Sequence, residues 1–410
     1  MNIHQDKGRI IESALAAAQP DAAVKAALAR AVFRSGRIIL VGIGKAAWQM
    51  SRAACDVLGN RIDAGIVITK YGHSKGPIPR LRIFEAGHPV PDRNTFDATK
   101  EAQNLVSGLS ENDTVLFLIS GGGSALFENP FISPEELADI TAQLLACGAD
   151  IVEMNTIRKR LSRVKGGRFA ENCAPATVFA VALSDVLGDR PDMIASGPAA
   201  SDTSTSKQAL AIINKYGLRL SKTAYQYISC ETPKQLNNVE MHVTGSARVL
   251  CQAAEATCRA LGYEPIVLTD TLSCTAREAG SFLAAIARYH SASSHSRAFI
   301  LGGETVVRLT GTGLGGRNQE LVLSAADGIS GLADTAVFSI GSDGTDGPTD
   351  AAGGWCDGTT REKLLAQSID IPAVLDNNDS YHALLSCDGL IKTGPTGTNV
   401  NDLTVLLIKR

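Results

Sequence analysis

Residues 38–47 read Ile-Ile-Leu-Val-Gly-Ile-Gly-Lys-Ala-Ala, and residues 115–124 read Val-Leu-Phe-Leu-Ile-Ser-Gly-Gly-Gly-Ser. Each opens with an uninterrupted apolar run of strand length and then breaks at glycine before a stretch fit for a helix. Strands without polar alternation are buried on both faces, which implies a parallel sheet with helices on each side. The pattern extends outward, with further strands at 64–69 and 177–183, the latter leading into Ser184-Asp185. Upstream, residues 8–33 read as two short amphipathic helices broken at Pro20.

The polar stretch 231–238, Glu-Thr-Pro-Lys-Gln-Leu-Asn-Asn, reads as a linker. Beyond it the alternation restarts: a strand at 239–244, a helix at 247–261, a strand at 265–269 and a helix near 275–289. The tail changes style, with paired short strands at 298–301 and 305–309 and a last strand at 403–408. The expectation is an α/β chain of two domains, 1–238 and 239–410. Its 410 residues are too many for one ordinary core.

Hydrophobic residues make up 44% and charged residues 20%, a globular composition. A net charge of -3 and only 5% aromatics exclude the basic footprint and stacking platforms of a nucleic-acid binder. Nine cysteines without a CxxC pair are expected to be reduced thiols. The polar first residues carry no signal peptide and no apolar run spans a bilayer, so a cytoplasmic protein without membrane contact is expected. Its partners are expected to be small molecules, and a homodimer is compatible with the sequence.

Gly42-Ile43-Gly44-Lys45-Ala46-Ala47 fits the permissive dinucleotide pattern G-x-G-x-x-A. The second strand, however, ends in Thr69-Lys70, where a ribose hydroxyl needs an acidic residue. Lys45 is read into the first helical turn, where the macrodipole disfavours a cation by about 0.3–1 kcal/mol unless an anion is shared with the helix end. Ser120-Gly121-Gly122-Gly123-Ser124 holds more glycine than a turn needs and can form an anion nest. No Walker A loop or H-R-D motif occurs. Residues 155–168, including Asn155, Arg158 and Lys165, form a basic helix that ordinarily faces solvent; Lys165-Gly166-Gly167 favours one cation turning inward.

Asp185 and Asp189 follow a buried strand and suit Mg²⁺ or a general base, with helix capping as the competing role. Glu304 lies in an apparent strand-to-strand turn. Arg317, followed by Asn318, opens a helix and repeats the placement of Lys45. Two such cations suggest one clamped anion, and neutralising either is then expected to leave the ligand-free fold unharmed. Asp343, in Ser-Asp-Gly-Thr-Asp-Gly, is either a Mg²⁺ contact or part of a tight turn. The histidines lack zinc-ligand spacing.

Taken together, the chain resembles the glycerate 2-kinase family. The matching segments are GIGKAA (42–47), LISGGGSALF (118–127), NTIRKRLSRVKGGR (155–168), LSDVLGDRPDMIASGP (183–198), GGETVV (302–307), GLGGRNQEL (313–321), GSDGTDGPTDAAG (341–353) and GPTGTNVNDL (394–403). The resemblance implies a Rossmann-like parallel-sheet N-terminal domain and a smaller α/β C-terminal domain carrying a MOFRL region at about 297–405. It also implies ATP- and Mg²⁺-dependent phosphorylation of D-glycerate, to 2-phospho-D-glycerate, in an interdomain cleft. Lys45 and Arg317 correspond to the family's active-site lysine and arginine. Two positions depart from the family pattern: Arg160 replaces a common histidine, and Ala199 a common threonine.

The mechanism expected assigns nucleotide phosphates to Gly44 and the 120–124 loop, with Asn155, Arg158, Lys165, Glu304 and Asn318 as further ligand contacts. Asp185, Asp189 and Asp343 are the metal candidates, and Asp185 or Asp189 would hold Mg²⁺ or accept the substrate hydroxyl proton. The rivals are an NAD-dependent hydroxypyruvate reductase, a label this family has carried, and a non-catalytic sugar-phosphate binding module.

Overall fold

The computed structural model describes residues 2–186 and 188–410. The chain divides into two compact units, Ala23–Thr244 and a second comprising the residues through Ala22 with Gly245–Arg410. Among the described residues each unit is built on one six-stranded sheet.

The first sheet contains β1 (Ile38–Ile43), β2 (Ile62–Lys70), β3 (Leu81–Ala86), β4 (Thr114–Ile119), β5 (Thr177–Leu183) and β6 (Val239–Gly245) in the order β3-β2-β1-β4-β5-β6. The pairings from β3 through β5 are parallel. This is the doubly wound order, which reverses between β1 and β4. The unbroken apolar runs behave as expected. Ile39, Val41, Val115 and Phe117 enter the core on one face, while Ile38, Leu40, Leu116 and Leu118 enter that on the other. Helices Ala47–Leu58 and Arg93–Val106 follow β1 and β3. An Asp92–Thr95 capping box starts the latter by satisfying its first N–H groups.

The second sheet contains β7 (Glu264–Leu272), β8 (Arg297–Gly303), β9 (Thr335–Gly341), β10 (Gly353–Asp357), β11 (Leu390–Ile391) and β12 (Asp402–Ile408), ordered β11-β10-β9-β12-β8-β7. It is mixed: β7 runs parallel to β8, while β12 is antiparallel to both β8 and β9. No described helix is long and apolar enough to cross a membrane, and the nine cysteines are free thiols.

Three features differ from the sequence expectation. β6, read as the first strand of the second domain, is the outer strand of the first sheet. The stretch 231–238 is anchored in that same unit: Asn238 donates to the carbonyls of Ala170 and Ala176, and Glu231 accepts from Ser206. Conversely, helix Ile3–Ala17 belongs with the second unit, because Ile10, Ala14 and Ala18 pack on Leu250, Ala254 and Ile300. Residues 305–309 are not a strand paired back on 298–301. β12 and β7 occupy both edges of β8, leaving Val306 only a single bridge to Thr275.

Candidate active site

The strand order reverses between β1 and β4, and ligands of such sheets bind at the carboxyl ends of the strands at that point. Two loops are stitched together there. Gly44 has φ +107°, and a Cβ on it would lie 2.4 Å from the Ser120 carbonyl oxygen, so only glycine fits. The Lys45 N–H donates to Gly121 O at 2.9 Å, and the Ala46 N–H to Ser120 Oγ at 3.1 Å. The helix begins at Ala47, so Lys45 sits in the turn ahead of it and not in the first helical turn. The Lys45 carbonyl accepts from Thr69 Oγ1 and from His73 Nδ1.

The three glycines form a floor whose missing side chains are replaced by functional groups. A Cβ on Gly121 would lie 2.6 Å from Asp185 Oδ2. One on Gly122, at φ +83°, would lie 3.1 Å from His88 Nε2 and 3.2 Å from Lys45 Cγ. Over Gly123 the neighbour is Ala195. The Gly123 N–H is spent on Ser120 O at 3.3 Å, so the cradle is narrower than three amides. Among the described residues the Gly121 and Gly122 N–H groups have no backbone acceptor. Ser184 Oγ accepts the Val186 N–H, a tight turn that presents Asp185 beside the floor.

Ser124 and Asn155 serve this floor indirectly. Ser124 Oγ meets Ser196 Oγ at 2.9 Å, and Ser196 donates to Asn155 Oδ1 at 2.9 Å, tying the loop after β5 to the glycine loop. Arg158 donates to the Ser124 carbonyl at 3.3 Å.

The basic segment is not a solvated face. Lys159 and Arg160 are buried against Asp202, and Arg160 also bonds Ser204 and Glu231. Thus the departure at Arg160 lies in an internal ion network, and Ala199 is a buried core residue.

Lys165 is a correction. It is fully buried, donates to Phe127 O at 2.8 Å and lies 3.1 Å from the equally buried Glu128. No aligned hydrogen bond reaches either Glu128 oxygen among the described residues. Its ammonium is a packing partner without access to a dissolved ligand. Burial, only partly offset by Glu128, brings its pKa down to about 8.

Lys165→Met should cost about 3 kcal/mol, because it strands a buried carboxylate, and Lys165→Met/Glu128→Leu should recover most of that. The unfolded state, with its ordinary lysine pKa, holds the proton longer. The parent's stability relative to the double variant therefore rises with pH from about 8 toward the ordinary lysine value. Chemical denaturation at pH 7.5 and 10 measures both effects. A single variant as stable as the parent would contradict this reading.

In the second unit Arg317 opens helix Arg317–Gly328, as expected, but the anion it faces belongs to the protein. Its Nε and Nη2 donate to Asp402 at 2.6 and 3.0 Å, and its Nη1 to Glu304 at 2.8 Å. Asp346 caps the helix, accepting the N–H groups of Asn318 at 3.2 Å and Gln319 at 2.9 Å. These carboxylates answer the helix dipole, so a cation at this position is stabilised without ligand. Burial raises the pKa of Asp402 to about 6, with Asp346 adding to the rise and Arg317 opposing it. Asn318 is buried and bonded to Asp346 and Ser339, a framework role.

A model described as a domain of unknown function (DUF4147) matches residues 7–229, and the MOFRL family model matches residues 297–402. A D-glycerate 2-kinase of Thermotoga maritima is 52% identical over 97% of both chains. The chain belongs to the glycerate 2-kinase family. A glycerate 2-kinase of Pyrococcus horikoshii is 40% identical, with 91% of this chain and 88% of that protein covered. The crystal structure of a Thermotoga maritima glycerate kinase superimposes with a TM-score of 0.94 at 51% identity, covering 98% of this chain and 99% of that one.

For a member of this family the metal question is how carboxylates meet phosphates. No three His, Cys, Asp or Glu side chains converge into a cage among the described residues. Mg²⁺ commonly takes one or two carboxylates and completes its shell with phosphate oxygens and water. Asp185 beside the glycine floor fits that demand. Asp189 lies in the following turn with φ +51°. Asp343 accepts the N–H and O–H of Thr345, the tight-turn alternative, in the other unit.

His88, Asp346 and Asp402 are the residues sequence reasoning missed. The signal for His88 was its position just past a strand, but β3 carries Arg82 and Glu85 and does not read as an apolar run.

Proposed function

We propose that the chain is an ATP-dependent glycerate kinase that transfers a phosphoryl group to D-glycerate, giving 2-phospho-D-glycerate. The observation that carries this reading is the glycine floor at the sheet's reversal point, with Lys45, His88 and Asp185 ranged over it. Phosphoryl transfer asks a protein mainly for positioning and charge neutralisation. The Gly121 and Gly122 amides bind phosphate oxygens, and Lys45 meets the transferring group or the substrate carboxylate. Asp185 would hold Mg²⁺, which when bound neutralises charge on the phosphates. Arg317 is oriented by Asp402 and Glu304, whose bonds use three of its five N–H groups.

The NAD-dependent rival is disfavoured by Lys70 at the end of β2, where a ribose hydroxyl needs an acceptor. Direct chromatographic measurement of ADP separates the two readings. D-glycerate should stimulate ADP formation in the presence of Mg²⁺. Oxidation of NADH by hydroxypyruvate, without ADP formation, would overturn the kinase reading.

A further inference from the structure

The imidazole of His88 stands at the glycine floor, and nothing in the charge-neutralising roles above uses it. A single point, the Cβ position that Gly122 lacks, lies 3.1 Å from His88 Nε2, 3.0 Å from its Cδ2 and 3.2 Å from Lys45 Cγ. Ring and lysine stem therefore crowd the same backbone, and only a glycine at φ +83° lets both approach. We infer that His88 is the catalytic base, its ring nitrogen taking the proton from the substrate hydroxyl as that oxygen attacks phosphorus.

The inference rests on the kinase reading. The new bond joins the glycerate oxygen to the γ-phosphorus, and the bond from that phosphorus to the β,γ-bridging oxygen breaks. ADP leaves with the bonding electron pair, and the proton passes from His88 to solvent. No further reactant is required.

The surroundings suit a base that must begin neutral. His88 is half-buried. Burial first, then the charges of Lys45, Lys70 and His73, lowers its pKa below the ordinary histidine value. Lys45 comes from the turn after β1, Lys70 and His73 from the end of β2 and the turn after it, and the floor itself is uncharged. On its own segment, Asp92 is engaged by Tyr71, Thr95 and the Gly87 N–H. An anionic substrate offsets those cations when it binds, raising the basicity of His88 when a proton must be accepted. Asp185 is then left to the metal.

The test is kcat as a function of pH from 5 to 9, with saturating ATP, Mg²⁺ and D-glycerate, for the parent and His88→Gln. The parent should lose activity below the histidine range. His88→Gln should fall about 100-fold in kcat, with little change in either KM and without that acid limb. Added imidazole should restore part of the activity of His88→Ala. Retention of kcat within threefold, persistence of the acid limb in the variant, or failure of imidazole to restore His88→Ala would overturn the assignment. If neither variant folds, the parent decides: a kcat flat from pH 5 to 7 overturns it, and an acid limb supports it. A parent that makes no ADP with D-glycerate refutes the kinase reading itself, whereas an active parent with an unaffected variant refutes only the role of His88.

Discussion

Arg317→Ala is expected to lower stability by about 2–3 kcal/mol, toward the lower end for breaking a buried ion pair because the guanidinium is one-third exposed. The loss has a specific origin. Removing the guanidinium leaves Asp402, 6% exposed, beside the buried Asp346 with no cation between them and the helix end. For the unit containing Arg317, a shift in melting temperature of roughly 5–10 °C follows. Its pH dependence has a definite sign. Asp402 titrates higher folded than unfolded, so its ionisation costs stability as pH rises through about 6. Loss of Arg317 raises that pKa further, and the deficit should be larger at pH 8 than at pH 5. Lys45→Ala should melt like the parent, since among the described residues no side-chain ion pair holds Lys45, while its activity falls by orders of magnitude. Equal melting of Arg317→Ala and the parent at pH 8 would show that the three carboxylates do not depend on Arg317.

Asp185→Asn should reduce kcat by about 10²- to 10⁴-fold, because a group that holds Mg²⁺ against the phosphates acts mainly in the transition state. The substitution keeps the shape of the side chain over Gly121, where Oδ2 approaches within 2.6 Å of the missing Cβ. The Ser184–Val186 turn is made by Ser184 and survives unchanged. The variant should therefore fold. A variant with near-parental kcat and a lower melting temperature would instead make Asp185 a residue of local structure.

Sequence reading succeeded where one physical requirement dominates. β1, β4 and β5 are covered on both faces, and their unbroken apolar runs announce it. The outer strands failed for the converse reason. β3 carries charge on its exposed positions, and β6 is only half-buried, so nothing in its composition says which sheet it joins. The N-terminal helix shows an apolar face but not which sheet it covers. The dipole rule rightly demanded an anion for Arg317, yet Asp402 lies 85 residues away and only β12 beside β8 brings it there. Lys165 was rightly read as the cation that turns inward, but the anion it meets is Glu128, a partner visible only in three dimensions. His88 was hidden with the strand that delivers it.

Phosphorylation of D-glycerate at its C2 oxygen is tested most directly by the ³¹P NMR spectrum of the protein incubated with ATP, Mg²⁺ and D-glycerate. It predicts the resonances of ADP and one new phosphomonoester signal, split into a doublet by the single proton on C2. A triplet, from the two protons on C3, would contradict the assigned product. A spectrum showing only ATP after prolonged incubation would contradict the kinase reading altogether.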